Sequence, residues 1–264
     1  MQIVGIATLA LAMVALPLRA TLRLRRRRHV VRRHRLALAL VAATITLAAL
    51  LGLDSAADSA LSAHMLQHML IGDLVPLLLV LSVRGSLLFH LLPTRAVRVA
   101  RRLGLHRVLA FVTRPTVAFA LWAGAIAVWH IPAAYDLALE SDPLHAFEHA
   151  TFLLTGLLVW TVLLDPARRG TLPGWRRFAY ALALLAASGV LANVLILSYR
   201  PLYPSYAVAA SRPFGLTPIG DQDLAGLLMM LEQLATVGTF AVLCARRQLA
   251  GSMVEQAERH PLAV

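Results

Sequence analysis

The chain has 264 residues, of which 59% are hydrophobic, with a mean hydropathy of +0.72 and a formal net charge of +12. That length would suit one or two soluble domains, but the composition excludes them, because apolar runs near the roughly 20 residues that cross a bilayer recur along the chain. All 25 basic residues are arginine, and their placement argues against a nucleic-acid partner.

The pattern predicts an all-α, polytopic membrane bundle. It is a single integral domain over 1–264, with seven transmembrane helices at about 2–18, 36–53, 65–83, 116–131, 147–164, 178–198 and 224–244. Span one is followed by Arg19, Arg23, Arg25, Arg26, Arg27, Arg28, Arg32, Arg33 and Arg35. Its charge follows the apolar stretch instead of preceding it, so a retained anchor is expected and not a cleaved signal peptide. Span two leads to the 54–63 loop, which has no arginine.

Span three begins His64-Met-Leu-Gln-His68-Met-Leu-Ile-Gly-Asp73. Histidines four apart share one helix face, with Cβ atoms about 5–6 Å apart. Met65 and Met69 interleave with them. Asp73 lies about 14 Å below His64 and off the histidine face, and Gly72 with Pro76 is expected to free a carbonyl at that level. The following loop carries Arg84, Arg95, Arg98, Arg101, Arg102, Arg107 and Arg114, with the amphipathic pattern of an interfacial helix.

Span four ends in Val-Trp-His130-Ile-Pro, and Asp136, Glu140 and Asp142 follow. Span five opens with a second pair, His145 and His149, with Glu148 between them. Arg168, Arg169, Arg176 and Arg177 precede span six, and Arg246, Arg247 and Arg259 follow span seven, whereas the alternate loops hold only Arg200 and Arg212. This alternation satisfies the positive-inside rule for an N-out, C-in topology. It places His64, His68, His130, His145 and His149 together at the outer ends of spans three, four and five. The Tyr- and Pro-rich 199–222 loop is long enough to cover that mouth. In span seven, Asp221 is expected to cap the helix. Asp223 and Glu232 lie below it, with Asp73 and Glu232 as a polar path towards mid-membrane. Cys244 is alone, so no CxxC or CxC copper motif exists.

Imidazole is the commonest metal-binding side chain, and thioether sulfur favours Cu(I). The expected ligands are His64, His68, His145 and His149, with His130 and Met65 or Met69 completing the shell and Glu148 orienting an imidazole. Three blocks, HMLQHMLIGDLVPLLLVL, VWHIPAAYDLALESDPLHAFEHATFLLTGLLVW and PIGDQDLAGLLMMLEQ, occur in order, and together they resemble the CtaG-type assembly proteins of caa-type cytochrome c oxidase. The unrelated single-span, two-cysteine family of the same name is excluded by one cysteine and seven spans.

The resemblance implies motif positions at His64, His68, Trp129, His130, Pro132, Tyr135, His145, Glu148, His149, Asp221, Gln222, Asp223 and Gly226. Asp73 stands where that family is expected to be apolar. The resemblance further implies a non-enzymatic factor of the bacterial plasma membrane that handles copper for haem–copper oxidase. Its partners would be cytochrome c oxidase subunits or other assembly factors within the lipid bilayer, with no nucleic acid. The alternatives are a bis-histidine haem b electron-transfer protein and a copper or proton transporter.

Overall fold

The computed structural model describes residues 2–26, 32–170, 172–208, 212 and 215–259. Arg27, Arg28, His29 and His260 lie outside the described residues. Among the described residues there are helices and no strand.

Six helices are long and apolar enough to cross a membrane: Val4–Arg26, His34–Gly52, Leu61–Ser82, Asp142–Leu164, Gly174–Leu197 and Pro218–Ala250. They are spans one, two, three, five, six and seven of the sequence reading. Span one continues about two turns past its predicted end, because Arg19, Arg23, Arg25 and Arg26 are good helix formers and simply extend it. Span four is a different object. Pro115–Trp129 has 15 residues, about 22 Å of helix, and it meets Leu105–Val112 at a bend of 78°. Pro115 sets the break, since the residue before proline is pushed out of the helical region and Arg114 is extended. The seventh crossing therefore depends on this bent pair.

Thr94–Arg102 and Leu105–Val112 bury no residue, as an interfacial arginine-rich segment requires. Arginines from four separate loops converge at one end of the bundle. The Arg84 guanidinium is held below its ordinary value by burial and then by Arg168, Arg35, Arg177 and Arg247. The histidine pairs begin spans three and five, whereas Arg84 and Arg168 follow the far ends of those same helices. The arginine end and the histidine end are therefore opposite.

Span three is the centre of the bundle, with more than half of its apolar window buried. It packs against spans two, five and seven, while span six packs on span seven and span four on span five. Two glycines set the approach of spans three and five. A Cβ at Gly156 would fall 1.9 Å from the Gly72 carbonyl oxygen and 2.8 Å from Pro76 Cγ. No side chain fits there. Pro76 has no N–H to give the Gly72 carbonyl, and span three opens into a π-helical turn at Leu70–Leu74, closed by Val75 N–H on Leu70 O.

The outer end of span three is capped from another helix. Asp221 accepts hydrogen bonds from Leu61 N (2.7 Å), Ser62 N (3.2 Å) and the Ser62 hydroxyl. The sequence reading gave Asp221 to its own helix, but Thr217 is the N-cap of span seven and accepts from Gly220 N at 3.0 Å. Asp221 is thus freed to place a carboxylate on the positive N-terminus of span three.

Candidate metal centre

The i, i+4 spacing in span three and again in span five makes two stacked imidazole pairs, and the Gly72–Gly156 crossing brings the pairs together. His64, His68, His145 and His149 each offer one ring nitrogen, and these four atoms all lie within 4.8 Å of one another. Ring centroids are 4.3 Å apart within the first pair and 4.4 Å within the second, and 5.0 Å across for both His64–His145 and His68–His149. His64 is 1% exposed and His68 is 6% exposed.

The hydrogen bonds fix one tautomer. Tyr206 lies in the 199–217 segment and comes down over the cluster. Burial, the largest influence on its phenol, holds it well above its ordinary value, so it stays neutral. Its hydroxyl donates to the Ala57 carbonyl at 2.7 Å. It must then accept from His64 Nδ1, also at 2.7 Å. His64 Nε2 therefore carries a lone pair, and it points at His68 Nε2, 2.8 Å away. Such a partner on the outer nitrogen is how metal-binding histidines are held. The Nε2 atoms of His145 and His149 are buried without a partner, as is His68 Nδ1.

Glu148 sits between the two histidines of span five, buried, with Oε1 3.8 Å from His68 Nε2 and otherwise unpartnered. Tyr135 and Tyr203 roof the cluster beside Tyr206, with Tyr135 5.2 Å from His64 and 4.3 Å from Tyr203, ring to ring. Gln222 pins this roof. Its oxygen accepts from Leu202 N at 2.7 Å and its amide donates to Leu195 O at 2.9 Å. A lateral cleft of about 460 Å³ between spans one, two and five reaches the cluster. It is lined by Leu9, Thr46, Asp54, His145 and His149.

The remaining sequence candidates fall elsewhere. His130 is outside the cluster: its Nδ1 donates to the Ile126 carbonyl of its own helix at 2.8 Å, and Phe152 packs near both it and His68, 6.2 Å and 4.8 Å away ring to ring. Met65 and Met69 sit one residue beyond each histidine, about 100° around the helix. They pack instead with Leu61, Tyr135, Ala225 and Met229. Asp223 is half-buried with Oδ1 unpartnered.

Asp73, left without a partner by the sequence, has several. Trp160 Nε1 donates to Oδ1, and Gln233 Nε2 (3.2 Å) and the Thr236 hydroxyl (2.5 Å) donate to Oδ2. The same Gln233 nitrogen lies 3.3 Å from Glu232 Oε2. Tyr206, Asp221 as a cross-helix cap, and Trp160 carry no local sequence signal of these roles.

Residues 15–250 match the protein family described as cytochrome c oxidase caa3 assembly factor. No curated protein and no solved structure matches the chain.

Proposed function

Because the chain belongs to the cytochrome c oxidase caa3 assembly factor family, we propose that it serves oxidase assembly by holding a copper ion in the four-histidine cluster. The observation that carries this reading is the mutual approach of four ring nitrogens from two helices, one of them fixed as a lone pair by Tyr206. Neutral imidazoles suit copper and zinc alike. Copper is preferred because the family serves a copper-containing oxidase, and here copper is cargo and no turnover follows.

The buried Glu148, with Oε1 3.8 Å from the His68 nitrogen that faces His64, offsets part of the ion's charge. Met65 and Met69 shape the neighbouring wall and do not supply ligands. A bare ion is favoured over haem, because the four rings already fill the space in which a macrocycle between axial histidines would lie. The histidine end faces outward from the bacterial plasma membrane, as the positive-inside rule gives for the opposite, arginine end. Oxidase subunits or other assembly factors meet it there.

The test is loading of purified protein with Cu(I) and with Zn(II), and counting bound ions. One ion per chain is expected for wild type and none for His64→Ala with His149→Ala, with His106→Ala unchanged. Equal binding in the double variant refutes the site. Reporter fusions in the 54–63 loop test the orientation, and cytoplasmic activity there refutes it.

A further inference from the structure

Below the cluster, spans three, five and seven hold two carboxyl groups where the bilayer offers no water. Asp73 is 7% exposed, and Glu232 approaches it closely enough that one amide nitrogen, Gln233 Nε2, serves both. Among the described residues no arginine forms an ion pair with either. Two carboxylates so placed cannot both be ionised, because their repulsion is unscreened in a low dielectric. At most one negative charge is supported, and where it falls is legible. Asp73 accepts from Trp160 and Gln233 and touches the Thr236 hydroxyl, whose one hydrogen the Glu232 carbonyl also accepts at 3.0 Å, while the Glu232 carboxyl has only the shared amide and a buried, unpartnered Oε1. A lone proton on the pair therefore resides on Glu232, and a second sits on Asp73 Oδ2, where it donates to the Thr236 hydroxyl oxygen.

A second, independent observation links this pair to the cluster. A cavity of about 60 Å³ is lined by Asp73 and Gln233 and also by His68, His130, Met65 and Met69. It has room for one or two waters. His68 is more than nine-tenths buried and lines this cavity with Nδ1 unpartnered, and His130 Nε2 is likewise unpartnered. The titratable groups facing the carboxyl pair are thus each other and, across the cavity, His68 and His130.

We propose that Asp73 and Glu232 form a proton-binding site inside the membrane, which carries one proton when a cation fills the four-histidine cluster and two when the cluster is empty. The coupling rests on the metal reading above; the proton site does not. Asp73 lies five residues past His68, about 7.5 Å further along the helix. A cation in the cluster favours loss of the second proton, because little water lies between them to screen its field. The proton leaves Asp73 for cavity water, passes to the aqueous side, and returns when the ion departs. Loading thereby exchanges a proton for a cation, and the bilayer interior is spared part of the added charge.

The experiment is infrared spectroscopy of the full chain in lipid nanodiscs, for wild type, Asp73→Asn and Glu232→Gln. In the metal-free protein a pH titration should show a protonated-carboxyl stretch, shifted in D2O, that Glu232→Gln removes. Zn(II) alone should then bleach a second such band in wild type and in neither variant.

If no carboxyl band of the metal-free protein is lost in Glu232→Gln, the proton site is refuted whatever the metal does. Bound Zn(II) with no bleach, or with a bleach that both variants retain, refutes the coupling and leaves the metal site standing. No bound Zn(II) or Cu(I) refutes the metal reading and the coupling with it, while the titration still decides the proton site. Both substitutions keep an oxygen acceptor, and wild type alone reports the bleach should either variant fail to fold.

Discussion

Gly156→Ala is the sharpest test of how the two histidine pairs are brought together. The added methyl would stand 1.9 Å from the Gly72 carbonyl oxygen, where carbon–oxygen contacts begin at about 3.3 Å. Spans three and five must part by about 1.4 Å, and Pro76 Cγ at 2.8 Å blocks escape to that side. Overpacking of this kind costs about 1–3 kcal/mol. Gly124→Ala and Gly189→Ala are the controls, since nothing lies within 4 Å of either new methyl. Gly72→Ala should fall between, because its methyl meets Phe152 Cβ at 3.2 Å. Unfolding by dodecyl sulfate in mixed micelles gives the ranking. The same displacement, roughly 10 Å down the helix from His149, spreads the four nitrogens, so ion affinity should drop about 10–100-fold. If Gly156→Ala unfolds with the controls and binds as wild type, the glycine crossing does not position the site.

Asp221→Ala should destabilise by about 1–2 kcal/mol in the same unfolding assay, since it strips the cap from span three. Asp223→Ala should cost less than half of that, and equal losses would argue against a cross-helix cap. Tyr206→Phe removes the partner that fixes the His64 tautomer, so ion affinity should fall about 10–100-fold with little change in unfolding. Unchanged affinity in a calorimetric titration would refute that role. Replacing Met65 and Met69 together by leucine should leave stoichiometry and affinity intact, and a large loss of Cu(I) binding would show that sulfur does enter the shell.

What the sequence discloses here follows from distance along the chain. His64 with His68 and His145 with His149 are local, helical pairs, so both were legible, and the arginine loops sorted them to one end of the bundle. Met65 and Met69 were adjacent in sequence and chemically apt. One residue along a helix is still about 100° around it, and both pack with Leu61, Ala225 and Met229. His130 shared the right membrane level, yet its own helix took up its Nδ1. The contacts that complete the site join residues 142 to 160 positions apart, Tyr206 to His64 and Asp221 to Leu61, and no periodicity carries such information. Asp73 was misleading for a related reason. An acid with no neighbour in sequence looked solitary, while its partners waited on spans five and seven.

The π-helical turn at Leu70–Leu74 also bears on how this helix tolerates insertions and deletions. A π turn is in effect one surplus residue accommodated within a helix. Removing a single residue between Leu70 and Leu74 would restore regular α geometry and leave the outer half of span three facing nearly as it does now, because the π turn already absorbs the surplus residue without turning its flanks. Such a deletion would leave the length, composition and apolar character of the segment almost untouched. It would also keep His64 and His68 on the face towards span five, with Pro76 in place against Gly156. Related chains one residue shorter in this segment are therefore expected to keep the four-histidine arrangement, with a plain α-helix where this chain has the π turn.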